Sequence, residues 1–129
     1  MNVPANLRYT KEHEWVLLDG DLATIGITDF AQDQLGDIVF VELPSVGDKV
    51  AKDEAFGVVE SVKAVSDIYA PLSGTVVEVN DDLPDSPEML NEDCYSDAWI
   101  VKIRLSDQAE IAALMNAAAY EKFTAEEGE

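Results

Sequence analysis

One cysteine, one histidine and eight basic side chains are all that this sequence offers to several common chemistries. With Cys94 alone, no internal disulfide and no cysteine-rich zinc site can form. That fits a reducing compartment, and Cys94 itself reads as a small packing residue. With His13 alone, a multi-histidine metal site is excluded, and no Ser-His-Asp arrangement has local support. The glycines Gly36, Gly47, Gly57 and Gly74 are isolated, so there is no glycine-rich phosphate loop. No window is long and apolar enough to cross a bilayer. Residues Met1 to Arg8 carry no basic leader followed by an apolar run, and they are not an Arg- and Ser-rich transit peptide. The expectation is a bacterial cytoplasmic protein, favoured over a mature mitochondrial one by the Met1 start.

The scarcity of basic residues leaves a strong charge imbalance. Against the eight stand 27 acidic residues, for a formal net charge of −19. A field of that sign repels phosphate backbones and anionic lipid surfaces, so neither nucleic acid nor membrane is an expected partner. It favours solubility and steered encounter with partners that carry basic patches. Taken on their own, Glu12, Glu14, Asp19 and Asp21 read as a solvated edge.

What is present is a series of short strands. The 129 residues suit one domain, and nearly half are hydrophobic, enough to bury a core. Glu14 to Leu18 and Leu22 to Ile27 read as strands around an Asp19-Gly20 turn. Thr28 is placed to cap a short helix, Asp29 to Leu35, with Gly36 just past its end. Phe30, Ala31 and Leu35 would face the core. Ile38 to Leu43 is nearly all apolar, which predicts a strand buried on both faces and ended by Pro44. Thr75 to Asn80 and Trp99 to Leu105 alternate as strands.

Between them, Asp81 to Asp97 holds two prolines and seven acidic residues. It reads as a surface excursion with a helical turn around Glu88-Met89-Leu90. After it, Asp107 and Glu110 have the spacing of a capping box, Ile111, Leu114, Met115 and Ala118 recur at helical spacing, and residues 117–123 read as a continuation of that helix or a second short one. Residues from Thr124 onward are expected to fray.

The stretch Ala55 to Pro71 stands out. Val58, Val59, Val62 and Val65 favour strand on both sides of Lys63, with Glu60, Ser61, Ser66 and Asp67 between them. The pattern predicts two antiparallel strands with Lys63 at or near the tip. A stiff stem with a lysine at its tip suits attachment of a covalent arm. By itself, an exposed turn lysine is an ordinary solvated charge.

Here a resemblance enters. Glu60-Ser61-Val62-Lys63-Ala64, with Ser66-Asp67, Ala70-Pro71 and Gly74 behind it, resembles the lipoylation site of glycine cleavage system H proteins. Lys11 to Val16, Ile25 to Gln32 with Leu35-Gly36-Asp37, Val39 to Pro44, and Trp99 to Ile103 resemble that family's other blocks, in order. The resemblance implies a mainly β lipoyl/biotinyl-carrier-like sandwich, or flattened barrel, with peripheral short helices and a C-terminal helix. It implies one carrier domain over residues 1–129, monomeric and without catalysis of its own. Lys63 would bear lipoate in amide linkage.

In the family's cycle a pyridoxal-phosphate glycine decarboxylase loads an aminomethyl group on the arm. A tetrahydrofolate-dependent aminomethyltransferase unloads it, and a dihydrolipoyl dehydrogenase reoxidises the dithiol. A separate lipoylating enzyme attaches the arm. By position within the resemblance, Glu14 and Asp67 would hold the loaded arm's ammonium, and Glu60 would serve recognition by the lipoylating enzyme. Some family members have histidine near Phe30 and Gln34; this chain does not. A biotin carrier is the nearest rival, disfavoured because Val62 and Ala64, not methionines, flank Lys63. A relay passing lipoate to other proteins, a free-standing enzyme and an unmodified interaction domain are the others.

Overall fold

The structure is a computed structural model and describes residues 2–127. Its strands are β1 (Arg8–Tyr9), β2 (Glu14–Asp19), β3 (Leu22–Ile27), β4 (Ile38–Glu42), β5 (Lys49–Val50), β6 (Ala55–Ser61), β7 (Val65–Tyr69), β8 (Gly74–Val79) and β9 (Val101–Leu105). They form two antiparallel sheets. One runs β1-β2-β3-β9-β8-β5 and the other β4-β6-β7. Both sheets are open, so of the two expected architectures the chain adopts the sandwich, not a closed barrel. Val16, Ile25, Val76 and Ile103 from the larger sheet meet Val41, Val59 and Ile68 from the smaller one in a common core. In β9, inward Val101, Ile103 and Leu105 alternate with outward Lys102 and Arg104, as the pleat requires.

The first helix, α1 (Asp29–Leu35), has the expected ends. Thr28 accepts a hydrogen bond from the Ala31 N–H at 3.2 Å, and Gly36 closes the helix at φ 77°. Its Ala31 and Leu35 pack on the core, while Phe30 stacks on His13 at 4.5 Å.

Two expectations are corrected and one alternative is decided. Strand β4 is not buried on both faces: a bulge between Ile38 and Phe40 leaves Val39 and Phe40 both exposed. The acidic stretch after β8 is more than a surface excursion. It winds through α2 (Met89–Glu92) and seats Leu83 and Leu90 fully inside the core. In the tail, the second of the two forms open to residues 117–123 is the one adopted, a separate helix. A 3-10 helix, Gln108–Ala113, is capped by Asp107, and the chain then extends to pair Met115 with Tyr9 before α3 (Ala117–Glu127).

Glu110 closes no capping box. Its carboxylate accepts the Ser73 N–H at 2.7 Å and the Ser73 hydroxyl at 2.9 Å, clamping the tail to the β7–β8 turn. Tyr120 stacks on Tyr9 at 4.6 Å beside Trp15, forming a second small core. Thr124, expected to fray, is buried on α3; the last two residues of the tail lie outside the described residues.

Gly74 shows how tightly β8 and β9 pack. A Cβ there would sit on the carbonyl oxygen of Arg104, a backbone atom that cannot swing away. Gly74→Ala is therefore expected to cost about 3 kcal/mol of stability, read as a lowered denaturant midpoint at unchanged slope.

Candidate functional site

Lys63 lies in the three-residue turn between β6 and β7, and its side chain is exposed. The turn is held by Ser61. The Ser61 N–H donates to the Ala64 carbonyl at 2.8 Å, and its hydroxyl oxygen accepts the N–H groups of Lys63 at 3.3 Å and Ala64 at 3.1 Å. A second brace comes from outside the hairpin, where the Val62 N–H donates to the Asp37 carbonyl at 3.0 Å. The lysine's aliphatic chain passes over Gly36: its Cε lies 3.5 Å from where a Gly36 Cβ would be. So Gly36 ends α1 and also leaves room for the lysine. Asn91, on α2, fixes this corner by donating to the Gly36 carbonyl at 2.8 Å and accepting the Ile38 N–H at 2.9 Å.

Gly36 and Asn91 do not stand out as site residues in the sequence, and Ser61 does so only as part of the motif around Lys63. Ser61 sits two residues before the lysine, where a short hydroxyl side chain suits a turn. Asn91 carries no local signal at all.

Glu14 is buried, at 2% exposure, and so is not part of a solvated edge. The tight turn before β2, with His13 at φ 69°, swings it inward. The Thr10 hydroxyl donates to one carboxylate oxygen at 2.6 Å, and the Tyr69 N–H donates to the other at 3.3 Å. Burial pushes the carboxyl up from 4.5 to about 7; the two donors pull the other way and do not offset it, and Glu12 and Asp53 nearby raise it further. No ion pair reaches Glu14 among the described residues. It lines a cavity of about 320 Å³ with Thr10, Glu12, Asp53, Tyr69 and Met115.

The strand β7 connects the two places. It starts two residues after Lys63 and ends at Tyr69, against Glu14. Four residues of strand span about 13 Å. Val65, Asp67 and Tyr69 share one face of β7 by alternation, so Asp67 stands midway between Lys63 and Glu14 and does not line the cavity itself. Glu60 faces outward on β6, paired with Val65. His13 is engaged by packing: it stacks on Phe30, and its Nδ1 lies 2.8 Å from the Tyr120 hydroxyl. Cys94 is buried, and burial pushes its thiol up to about 12, which suits an inert packing residue. No group of three or more metal-ligating side chains occurs among the described residues.

An open antiparallel sandwich with one lysine on a doubly braced hairpin tip has the architecture of the lipoyl/biotinyl-carrier-like domains. Comparison narrows the class. The family model described as glycine cleavage H-protein matches residues 7–127. The chain belongs to that family. It is 59% identical to the glycine cleavage system H protein of Symbiobacterium thermophilum, over 97% of this chain and 98% of that one. It is 58% identical to that of Bacillus subtilis, over 98% of this chain and 100% of that one. The crystal structure of a glycine cleavage system H protein from Mycobacterium marinum superposes with a TM-score of 0.84 at 36% identity, covering 98% of this chain and all of that one.

Proposed function

We propose that this protein is the lipoylated carrier of a glycine cleavage system. In this reading Lys63 bears lipoate and takes an aminomethyl group from a pyridoxal-phosphate glycine decarboxylase to a tetrahydrofolate-dependent aminomethyltransferase, with a dihydrolipoyl dehydrogenase restoring the arm. The observation that carries the reading is the placement of Lys63 on the braced tip, within a chain that matches the H-protein family along its length. When bound, the lipoyl group supplies the disulfide and thiol chemistry; this domain performs no catalysis of its own.

The residues present fit such an arm. Ser61 and Asp37 hold the attachment point still, so the arm starts from one defined position. Gly36 leaves the lysine stem unobstructed. Glu14 supplies a buried carboxyl with no ion-pair partner among the described residues, in a cavity that Lys11 and Lys52 also line, about one strand's length from the tip. An ammonium brought there gains a charge-assisted hydrogen bond, and Glu14 gains the counter-charge that its burial denies it. Thr10 and the Tyr69 N–H orient the carboxylate for that contact. Asp67 offers an exposed carboxylate along the way, with a smaller share because water screens it. The cavity shields a labile cargo from solvent.

The reading places the carrier in a bacterial cytoplasm, as a single-domain monomer, in keeping with its bacterial relatives. No helix among the described residues is long and apolar enough to cross a membrane. The test is intact mass with peptide mapping of protein from its native source. A lipoyl adduct on Lys63 is expected. A biotinyl adduct would move the protein to a carboxylase, and a free Lys63 in cells actively lipoylating and catabolising glycine would reject the carrier reading.

A further inference from the structure

The outward face of the smaller sheet is apolar where solvent should favour polar residues. Strand register puts Phe40, Glu60 and Val65 in one row across β4, β6 and β7, all on the face opposite the core residues Val41 and Val59. Phe40 is 45% exposed and Val65 67%. The β4 bulge adds Val39, 53% exposed, and the hairpin turn adds Val62, 69% exposed. Glu42 on β4 and Glu60 in the row stand among them, and no ion pair reaches either among the described residues. Isolated exposed apolar side chains are ordinary, but four together beside unpaired carboxylates mark an interaction surface.

From this we infer that the outward face of the β4-β6-β7 sheet is the docking surface for the enzyme that acylates Lys63. The matching surface on that enzyme is an apolar recess rimmed by lysine or arginine. The inference rests on the carrier reading. Two observations describe this occupant, and the first sets it apart from the other partners. First, the face runs into the tip: Val62 precedes Lys63 and Val65 follows it by two, and Phe40 lies two strands, about 10 Å, from Val65. An enzyme that works on the far end of the arm meets the cargo an arm's length away. The acylating enzyme must bring Nζ itself to bonding distance, so its contact necessarily covers the tip's immediate neighbours. Second, the carboxylates set among these apolar side chains select a basic rim.

In the step served, deprotonated Nζ attacks the carbonyl carbon of an acyl adenylate held by the enzyme. The amide C–N bond forms and the acyl carbon–phosphate oxygen bond breaks; one proton has left the ammonium for solvent before the attack, and the second leaves nitrogen as the amide forms and passes to the departing AMP phosphate or to solvent.

The test uses full-length unmodified protein, a lipoate–protein ligase, lipoate and ATP. Phe40→Ser and Val65→Ser are each expected to raise KM for the carrier about tenfold with kcat unchanged, the size of effect that truncating an apolar anchor has in an interface. Val46→Ser, an exposed apolar residue on the loop before β5, is expected to leave KM unchanged. Lys63→Arg keeps the face and lacks the nucleophile, so it should inhibit acylation of the wild type competitively; adding Phe40→Ser should weaken that inhibition by the same factor.

If Lys63→Arg blocks its own acylation but the face variants leave KM and inhibition unchanged, the docking surface is rejected and the carrier reading stands. If Lys63→Arg is still acylated at full rate, the carrier reading falls. If the face variants slow only glycine-dependent exchange by a preloaded carrier, the face belongs to another partner and the inference is overturned.

Discussion

Lys63→Arg is expected to abolish the lipoyl adduct and to lower glycine–bicarbonate exchange about a thousandfold, to the level that free lipoate at matched concentration supports. The reason is chemical. A guanidinium stays protonated at any working pH and is not an acyl acceptor, so no amide forms. Without the tether, the dithiolane no longer reaches each active site at the high local concentration that a short arm provides. The fold should be indifferent, because the side chain is exposed and arginine's methylenes can follow the same path over Gly36. Equal thermal midpoints with loss of both adduct and exchange is the expected pair of results. An adduct that persists on the variant would place the modification elsewhere and sink the assignment of Lys63.

Glu14→Gln is expected to have two opposite consequences. The unloaded protein should become more stable. The wild-type carboxyl is raised from 4.5 to about 7, so between those values the folded state binds more protons than the unfolded state. Stability then falls as pH rises from 4.5 through 7, by on the order of 3 kcal/mol. Glutamine keeps the shape and cannot ionise, so the slope should flatten and the variant should be the more stable one at pH 8. Chemical denaturation at pH 5 and pH 8 reads this directly; equal slopes in the two proteins would show that Glu14 is not desolvated.

The second consequence concerns cargo. A charge-assisted hydrogen bond to a buried carboxylate contributes about 1.5–3 kcal/mol, so the variant should lose the aminomethyl cargo at least about tenfold faster. Docking of an ammonium should also pull the Glu14 pKa back down and release a proton near neutral pH. An unchanged decay rate would remove Glu14 from the arm's path. Asp67→Asn should show a smaller acceleration, since its carboxylate is solvated.

Much of the fold is legible in the residues. The alternation of β2, β3, β8 and β9 and the Thr28–Gly36 ends of α1 follow from local rules, because a pleat of period two and a helix cap need only neighbours in sequence. The lysine hairpin is legible for the same reason. Elements that depend on distant partners are not. The bulge in β4 exposes two residues that composition alone puts inside, since register against β6 decides which way each side chain points. Leu83 and Leu90 occupy the core from a stretch that reads as acidic and irregular, because two apolar side chains suffice to anchor a loop that is otherwise solvated. The tail breaks its helical stripe because pairing Met115 with Tyr9 and clamping Glu110 on Ser73 outweigh one more turn of α-helix.

The site divides along the same line. Residue order alone dictates a lysine at the tip of a β-hairpin in an acidic, disulfide-free, mainly β chain, since turn chemistry and alternation are local and charge is a sum. What that lysine faces depends on the folded chain. Ser61 and Asp37 brace it, Gly36 and Asn91 shape the corner beside it, and Glu14 waits at the other end of β7. Glu14 sits among acidic neighbours in sequence and reads as one more solvated carboxylate. Its burial, and so its raised pKa, arises only where β2, β7 and the tail come together, because desolvation is a property of the surroundings and not of the residue.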